Sequence, residues 1–451
     1  MDENYDSKLE CIDWRYSAAI LGLINYFKFE NREYDRVRFR QNRDSIEYNR
    51  SDINQSRYLA FAEDFFRKDM LHIEVEDRLY REEFNEDQIK AVNDKLSGNT
   101  VMKRIFSKIK FDGNNKQQIM DLVNDNREQI IFETFKNKKN LYANFCNTNL
   151  LMREEQEHCR LIGYNIDEGR KSRSIAYNFN TNTFVAVDIP EFDFIPFAFS
   201  NTFDSLFINN NSSIENLVKT NRELMRIIEG ELSEASNGNA KTALFGGIIT
   251  SAEFIDYDVE VIVKNREDSF FQSLFIRKDS IQILKAIENL KTFSISYKVN
   301  ENYYIHIHEE VIHCILNKLV TDGLIEILLK SGRNYSYIIK KLIEINLKIK
   351  GVDNMTDGMK GAFACARKVT EKIEKNKVSA YKKKLISAVV AEDYGRACDI
   401  LLQLSSYSEI SFGFAYDLFE DFEKNKELAY TFINALDDYK DDNKNNNKED
   451  K

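Results

Sequence analysis

The chain has 451 residues, 43% hydrophobic and 12% aromatic, with 32 Phe and 22 Tyr but only 2 Pro and 16 Gly. Such a composition excludes collagen-like and polyproline-linker proteins, is too aromatic for a disordered chain, and allows two or three cored domains. The net charge of −10 argues against a protein that is a nucleic-acid binder over its whole surface.

The first residues, Met1 to Leu9, are polar and acidic and lack the basic and apolar regions of a signal peptide. The longest apolar stretch, Ser17 to Phe29, is interrupted by Asn25 and Lys28 and is too short to span a bilayer. Cys11, Cys146, Cys159, Cys314, Cys365 and Cys398 follow no framework spacing. A cytoplasmic protein with reduced thiols and no membrane partner is therefore expected.

In chain order, CIDWRYSAAILGLINYFKF (11–29) predicts an apolar helix capped by Asp13, with Ala18, Ala19 and Gly22 small enough for close approach of another element. Arg36, Arg38 and Arg40 alternate with Val37 and Phe39, the pattern of a strand with one basic face. Residues 56–160 read as several helices. The centre reads as strand-rich: YNFNTNTFVAVDIP, then FDFIPFAFSNT, then SLFINNN closing on Asn209, Asn210 and Asn211. An amphipathic helix follows, capped by Ser213, and then the strands of AEFIDYDVEVIVKN and FSISYKVNENYYIHIH. From Glu309 onward the period is helical. GVDNMTDGM (351–359) marks a break, and Asp437 to Lys451 is almost all Asp, Asn and Lys, which predicts a disordered tail. The expected fold class is α+β: a body over 1–350 with a β-sheet region, an all-α bundle over 351–436, and the tail over 437–451.

Charge is not evenly spread. Residues 360–396 hold ten Lys/Arg against four Asp/Glu, a balance of about +6 that leaves about −16 for the rest. Lys368, Lys372 and Lys375 fall at i, i+4 and i+7, so one helix would place them on a single face. Phe363, Ala366, Val369, Thr370 and Ile373 would lie opposite, and a second helix would open with Lys382, Lys383 and Lys384. Such a stripe can follow phosphates without reading bases. An ordinary solvated face has the same pattern. In the body, Asn209, Asn210 and Asn211, and Lys171 within RKSRS (170–174), are polar turns that could meet a phosphate or a groove edge.

Catalytic signatures are weak. HIHEEVIHC carries His306, His308 and His313, but a zinc-hydrolase helix needs its histidines at i and i+4. His308 and His313 stand five apart, about 140° out of register on a helix. A metal-dependent hydrolase or nuclease around His306, His308 and His313 is nevertheless one alternative. Cys146, His158 and Cys159 offer one Cys per arm where a structural zinc wants two close pairs. GNAKTALFGG lacks the Gly before Lys241 that a phosphate loop requires. The expectation is a non-enzyme without cofactor or metal, and a scaffold with no nucleic-acid role is the other alternative.

Four stretches carry a family resemblance: CIDWRYSAAILGLINYFKF, FIPFAFSNTFDSLFINNNSSIENLVKTN, FIDYDVEVIVKN with SLFIR, and the terminal helical bundle. Together, across roughly half of the chain, they resemble the large subunit of the type I-B CRISPR surveillance complex (Cascade), the "Cas-eight" family. Relatives often carry paired C-x-x-C arms, which are missing around Cys146 and Cys159, so no metal is carried over. The resemblance implies a non-catalytic subunit that checks the protospacer-adjacent motif on double-stranded DNA and helps open the R-loop. Its partners would be the CRISPR guide RNA, the displaced strand, the backbone, guide-end and small subunits, and a helicase-nuclease. It also implies that Met355 or Met359 could serve as an internal start, releasing the bundle as a separate small subunit.

Overall fold

Helix α1 (Trp14–Tyr34) organises the first half of the molecule. Ala18, Ala19, Ile20, Leu23, Ile24, Tyr26 and Phe27 are all buried, so apolar contact surrounds much of its girth, as in a helix enclosed by its own domain. A Cβ on Gly22 would overlap the carbonyl of Phe194. The small residues of this helix thus admit the backbone of residues 190–198 at close range. That segment is a 3-10 helix, Pro190–Ala198, where the sequence predicts a strand. Pro190 opens it and Pro196 lies inside it; neither has an N–H to offer a sheet ladder. Residues Glu191 to Ala198 are all buried.

In this computed structural model the described residues are 5–34, 38–81, 83–154, 160–162, 188–234, 240–250, 254–287, 290–301, 303–331 and 335–436. Residues 177–187 of the expected strand stretch and the expected tail at 437–451 lie outside them. The protein is α+β, mostly helical with small antiparallel sheets. It divides into two compact units, Met1–Ile276 and Arg277–Lys451.

In the first unit, strands β1 (Ser7–Glu10), β2 (Phe39–Gln41) and β3 (Ser45–Tyr48) form a sheet in the order β1-β3-β2. Helices α2 (Gln55–Phe65) through α8 (Tyr142–Phe145) follow. Strands β4 (Asp204–Asn209), β5 (Val259–Asn265) and β6 (Gln272–Ile276) make a second antiparallel sheet, with α9 (Ile214–Glu234) and α10 (Ala240–Thr250) between β4 and β5. The core is aromatic. Phe197 lies 4.5 Å from Phe61 and stacks at 5.5 Å on Phe135, while Trp14 meets Phe271 at 4.9 Å. Each fully buried Phe contributes on the order of 1.5–3 kcal/mol. Buried phenols are satisfied: Tyr58 donates to the Asp193 carbonyl at 2.6 Å and Tyr48 to Glu191 Oε1 at 2.8 Å.

The second unit begins with α11 (Lys278–Lys285) and the hairpin β7 (Ser296–Asn300) and β8 (Tyr303–His306). It continues through α12 (Ile307–Asn317), α13 (Asp322–Lys330), α14 (Ser336–Ile349), α15 (Asp357–Lys372), α16 (Lys375–Val390), α17 (Tyr394–Ser408), α18 (Ala415–Glu420) and α19 (Lys426–Ala435). The expected division at 350/351 falls inside this unit. Gly351 ends α14 at φ +77°, a left-handed cap that suits glycine, and the chain continues into α15. Helices on both sides of that turn pack together. Asn434 on α19 donates to the Ser336 carbonyl at 2.9 Å, and Tyr430 donates to Glu326 at 2.8 Å.

Candidate nucleic-acid interface

Thr356 caps α15 by accepting the Met359 N–H at 3.3 Å. Ala362, Ala366 and Val369 are buried along one stripe, which turns Lys368 and Lys372 outward. The helix stops at Lys372 because Ile373 is extended, at φ −109° and ψ 150°. The expected three-lysine face is thereby corrected: Lys375 opens α16, and Lys382, Lys383 and Lys384 lie inside α16 instead of starting it. The reason is packing. Val369 and Val378 both point inward, and a straight helix cannot bring positions nine apart, about 180° around its axis, to one side.

The six lysines divide by environment. Lys372 pairs with Glu409 at 2.9 Å, and Lys382 donates to the Leu436 carbonyl at 2.6 Å. Lys368, Lys375, Lys383 and Lys384 are exposed, and among the described residues no carboxylate pairs with them. Beside Lys384 is a feature that sequence reading missed. Tyr381 on α16 and Tyr407 on α17 stand with ring centroids 6.1 Å apart, and Lys384 Nζ lies 5.6 Å from the Tyr381 ring. Tyr407 is 55% exposed. Tyr381 directly precedes the Lys382–Lys384 run, which was a usable signal; Tyr407, from another helix, had none. An exposed and a half-buried aromatic ring beside a lysine without a carboxylate partner suit unpaired bases and their phosphates.

The asparagine turn is built differently. Asn209 donates to Glu260 at 2.8 Å. Asn210 is buried, donating to Thr220 at 3.0 Å and Tyr257 at 2.6 Å and accepting from Ser212 at 2.8 Å. Asn211 is exposed at the tip. Asn221 on α9 holds the strand end, accepting from the Ile208 N–H and donating to its carbonyl. Lys171 lies outside the described residues.

His306 and His308 stay close, with ring centroids 6.3 Å apart. His306 ends β8 with Nδ1 2.8 Å from Ser296 Oγ, and His308 opens α12 with burial holding its pKa below the ordinary value. His313 is exposed further along α12. Among the described residues, the side chains that converge are Glu310, His313 and Cys314, whose ligand atoms lie within 4.8 Å of one another. Burial pushes the Cys314 thiol up to about 11, which disfavours the thiolate a metal needs. Cys146 is buried, and burial with the nearby Asp193 charge holds its thiol well above the ordinary range. His158 and Cys159 lie outside the described residues. Met355 is half-buried before α15, and Met359 is buried in its first turn.

A family model described as CRISPR-associated protein Csx8 (Cas_Csx8) matches residues 5–436. The chain belongs to that family. No curated protein and no solved structure matches it. The Csx8 match spans both compact units, so the aromatic core and the lysine-bearing helices fall within one family pattern. In this Csx8-family chain, no helix among the described residues is long and apolar enough to cross a membrane.

Proposed function

We propose that the protein is the non-catalytic large subunit of a CRISPR RNA-guided surveillance complex. It checks a short motif on duplex DNA, assists strand opening, and docks the helicase-nuclease that cuts. The observation that carries this reading is the surface of α16 and α17. There Lys384 stands 5.6 Å from Tyr381 of the Tyr381–Tyr407 pair, and Lys375, Lys383 and Lys384 of the same helix have no carboxylate partner among the described residues, in a chain that is acidic overall. That chemistry suits a displaced single strand, with lysines on its phosphates and tyrosines under its bases. Membership of a CRISPR-associated family supports a guide RNA, other complex subunits and target DNA as partners.

The division of work follows. Residues 1–350 dock and check the target, and 351–436 hold the opened strand. In the body, Asn211, the exposed member of the Asn209–Asn211 turn, is the proposed motif-side contact, with the buried Asn210 holding the turn through Thr220 and Tyr257. Pairing would read the sequence while the protein reads a short motif and the backbone, as in other guided effectors. The test is purification of the untagged protein with its natural neighbours. A bound guide RNA of uniform length with backbone and guide-end subunits is expected; a homogeneous protein without RNA that ignores DNA at low salt overturns the reading.

A further inference from the structure

We infer that a groove in the first unit, between α1, α2 and α9, is a seat for one unpaired nucleotide of a single strand. This deepens the reading above and rests on it, because it takes the protein to work on nucleic acid.

The groove encloses about 480 Å³, within the range of pockets that hold drug-sized ligands. Its floor is aromatic. Phe61 and Phe197 meet at 4.5 Å, Phe29 and Phe61 at 5.6 Å, and Phe65 and Phe197 at 5.3 Å. Phe29 and Phe65 are only half-buried, so aromatic surface faces the opening. The rim is cationic: Lys28 and Arg32 from α1, and Arg222 from α9. Asp64 is the one carboxylate in the lining, and it is already engaged by Arg32 at 2.8 Å. Arg32 also lies 5.3 Å over the Phe29 ring.

Lys28 and Arg222 differ from Arg32. Among the described residues no carboxylate pairs with either, although they face each other across the same groove. Partial desolvation beside the apolar floor, and then the Arg222 charge, hold the Lys28 amine below the ordinary lysine range. Two like charges beside an apolar floor lack an anion between them. A nucleotide supplies both missing parts: a phosphate for the two cations and a flat π-face for the phenylalanines. An acidic peptide would satisfy the cations but leave the aromatic floor to ordinary side chains, so the nucleotide uses more of the groove.

The experiment is photocrosslinking of the full-length protein to short single strands carrying 5-iodouridine, in separate RNA and DNA arms, with adducts mapped by mass spectrometry. An adduct on Phe29 or Phe65 is expected, and the arm that yields it distinguishes RNA from DNA as the source. Lys28→Ala with Arg222→Ala should lower the log–log salt slope for single-strand binding by about 1.4, since each phosphate contact adds about 0.7. Both positions are exposed, so an unchanged melting temperature controls for folding. Adducts confined to Tyr381 and Tyr407 overturn the groove assignment and leave the proposed function standing. Absence of any adduct or binding overturns both. Protection of α1 and α9 amides by a partner protein, with no adduct in either arm, assigns the groove to a protein segment and overturns the inference.

Discussion

Arg160 Nε lies 2.8 Å from Asp193 Oδ1, and both side chains are buried, at 1% and 0% exposure. The guanidinium also meets Asp188 at 2.8 Å and the Ile189 and Leu150 carbonyls at 3.0 Å each. Asp193 in turn accepts from Tyr142 at 2.6 Å and from the Met152 N–H at 2.7 Å. The pair ties the 3-10 segment, and through it Gly22 of α1, to the chain around 150–160. Removing one member strands the other charge in the core. Arg160→Met should cost about 3–5 kcal/mol, the usual penalty for half of a buried pair. Urea denaturation of the first transition checks this; a loss below about 1 kcal/mol would mean that the pair is dispensable.

The contact at Gly22 makes a sharper demand. Gly22→Ala raises intrinsic helix propensity by up to about 1 kcal/mol, yet its methyl meets a backbone carbonyl that cannot swing away. The expected net result is destabilisation by about 1–3 kcal/mol, as for other overpacked sites. Gly230→Ala, in α9 with open space around it, should show the opposite sign. Paired thermal melts decide.

Lys264 gives a pH signature. Its Nζ is buried and donates to Asn144 Oδ1 at 3.0 Å and to the Asn265 and Asp268 carbonyls at 2.8 and 2.7 Å. Burial pushes its pKa down from 10.5 to about 8. Below 8 both states hold the proton. Between 8 and 10.5 the folded state releases it first, so the unfolded state binds more protons and this group's contribution to stability rises with pH. The slope is at most about 1.4 kcal/mol per unit. Stability of the wild type minus Lys264→Met should therefore grow from pH 8 to 9.5. A flat difference would show that Lys264 titrates normally.

On the bundle, Lys368, Lys375, Lys383 and Lys384 should each matter to single-strand binding. Replacing all four by Ala is expected to lower the salt slope by about 3. Lys382→Ala should affect stability more, because its ammonium holds the end of α19 at the Leu436 carbonyl. Tyr407→Ala should weaken binding by about 1–3 kcal/mol if a base stacks there. Fluorescence anisotropy over a salt series separates the three outcomes.

A product starting at Met355 or Met359 would lack α13 and α14. Its Tyr430 would lose Glu326, and Glu427 would lose its ion pair with Lys350. Intact-mass spectrometry of the untagged complex should find this product, and it should melt below the full chain when isolated. Its absence, unchanged by Met355→Leu with Met359→Leu, removes the internal start.

Sequence by itself determined the α+β class, α1 with its small-residue face, the β4–α9 turn, the β7–β8 hairpin and the basic segment, because each depends on local period or composition. It also placed His308 and His313 on different sides of a helix. Tertiary structure decided the rest. Residues 190–198 became a 3-10 helix because two prolines and complete burial outweighed their apolar, strand-like pattern. The lysine stripe broke at Ile373 because two buried valines had to face the same core from successive helices. Tyr381 met Tyr407 across two successive helices, and Lys28 met Arg222 across helices far apart in the chain. No spacing rule reaches that far, since such neighbours are chosen by packing of the whole unit.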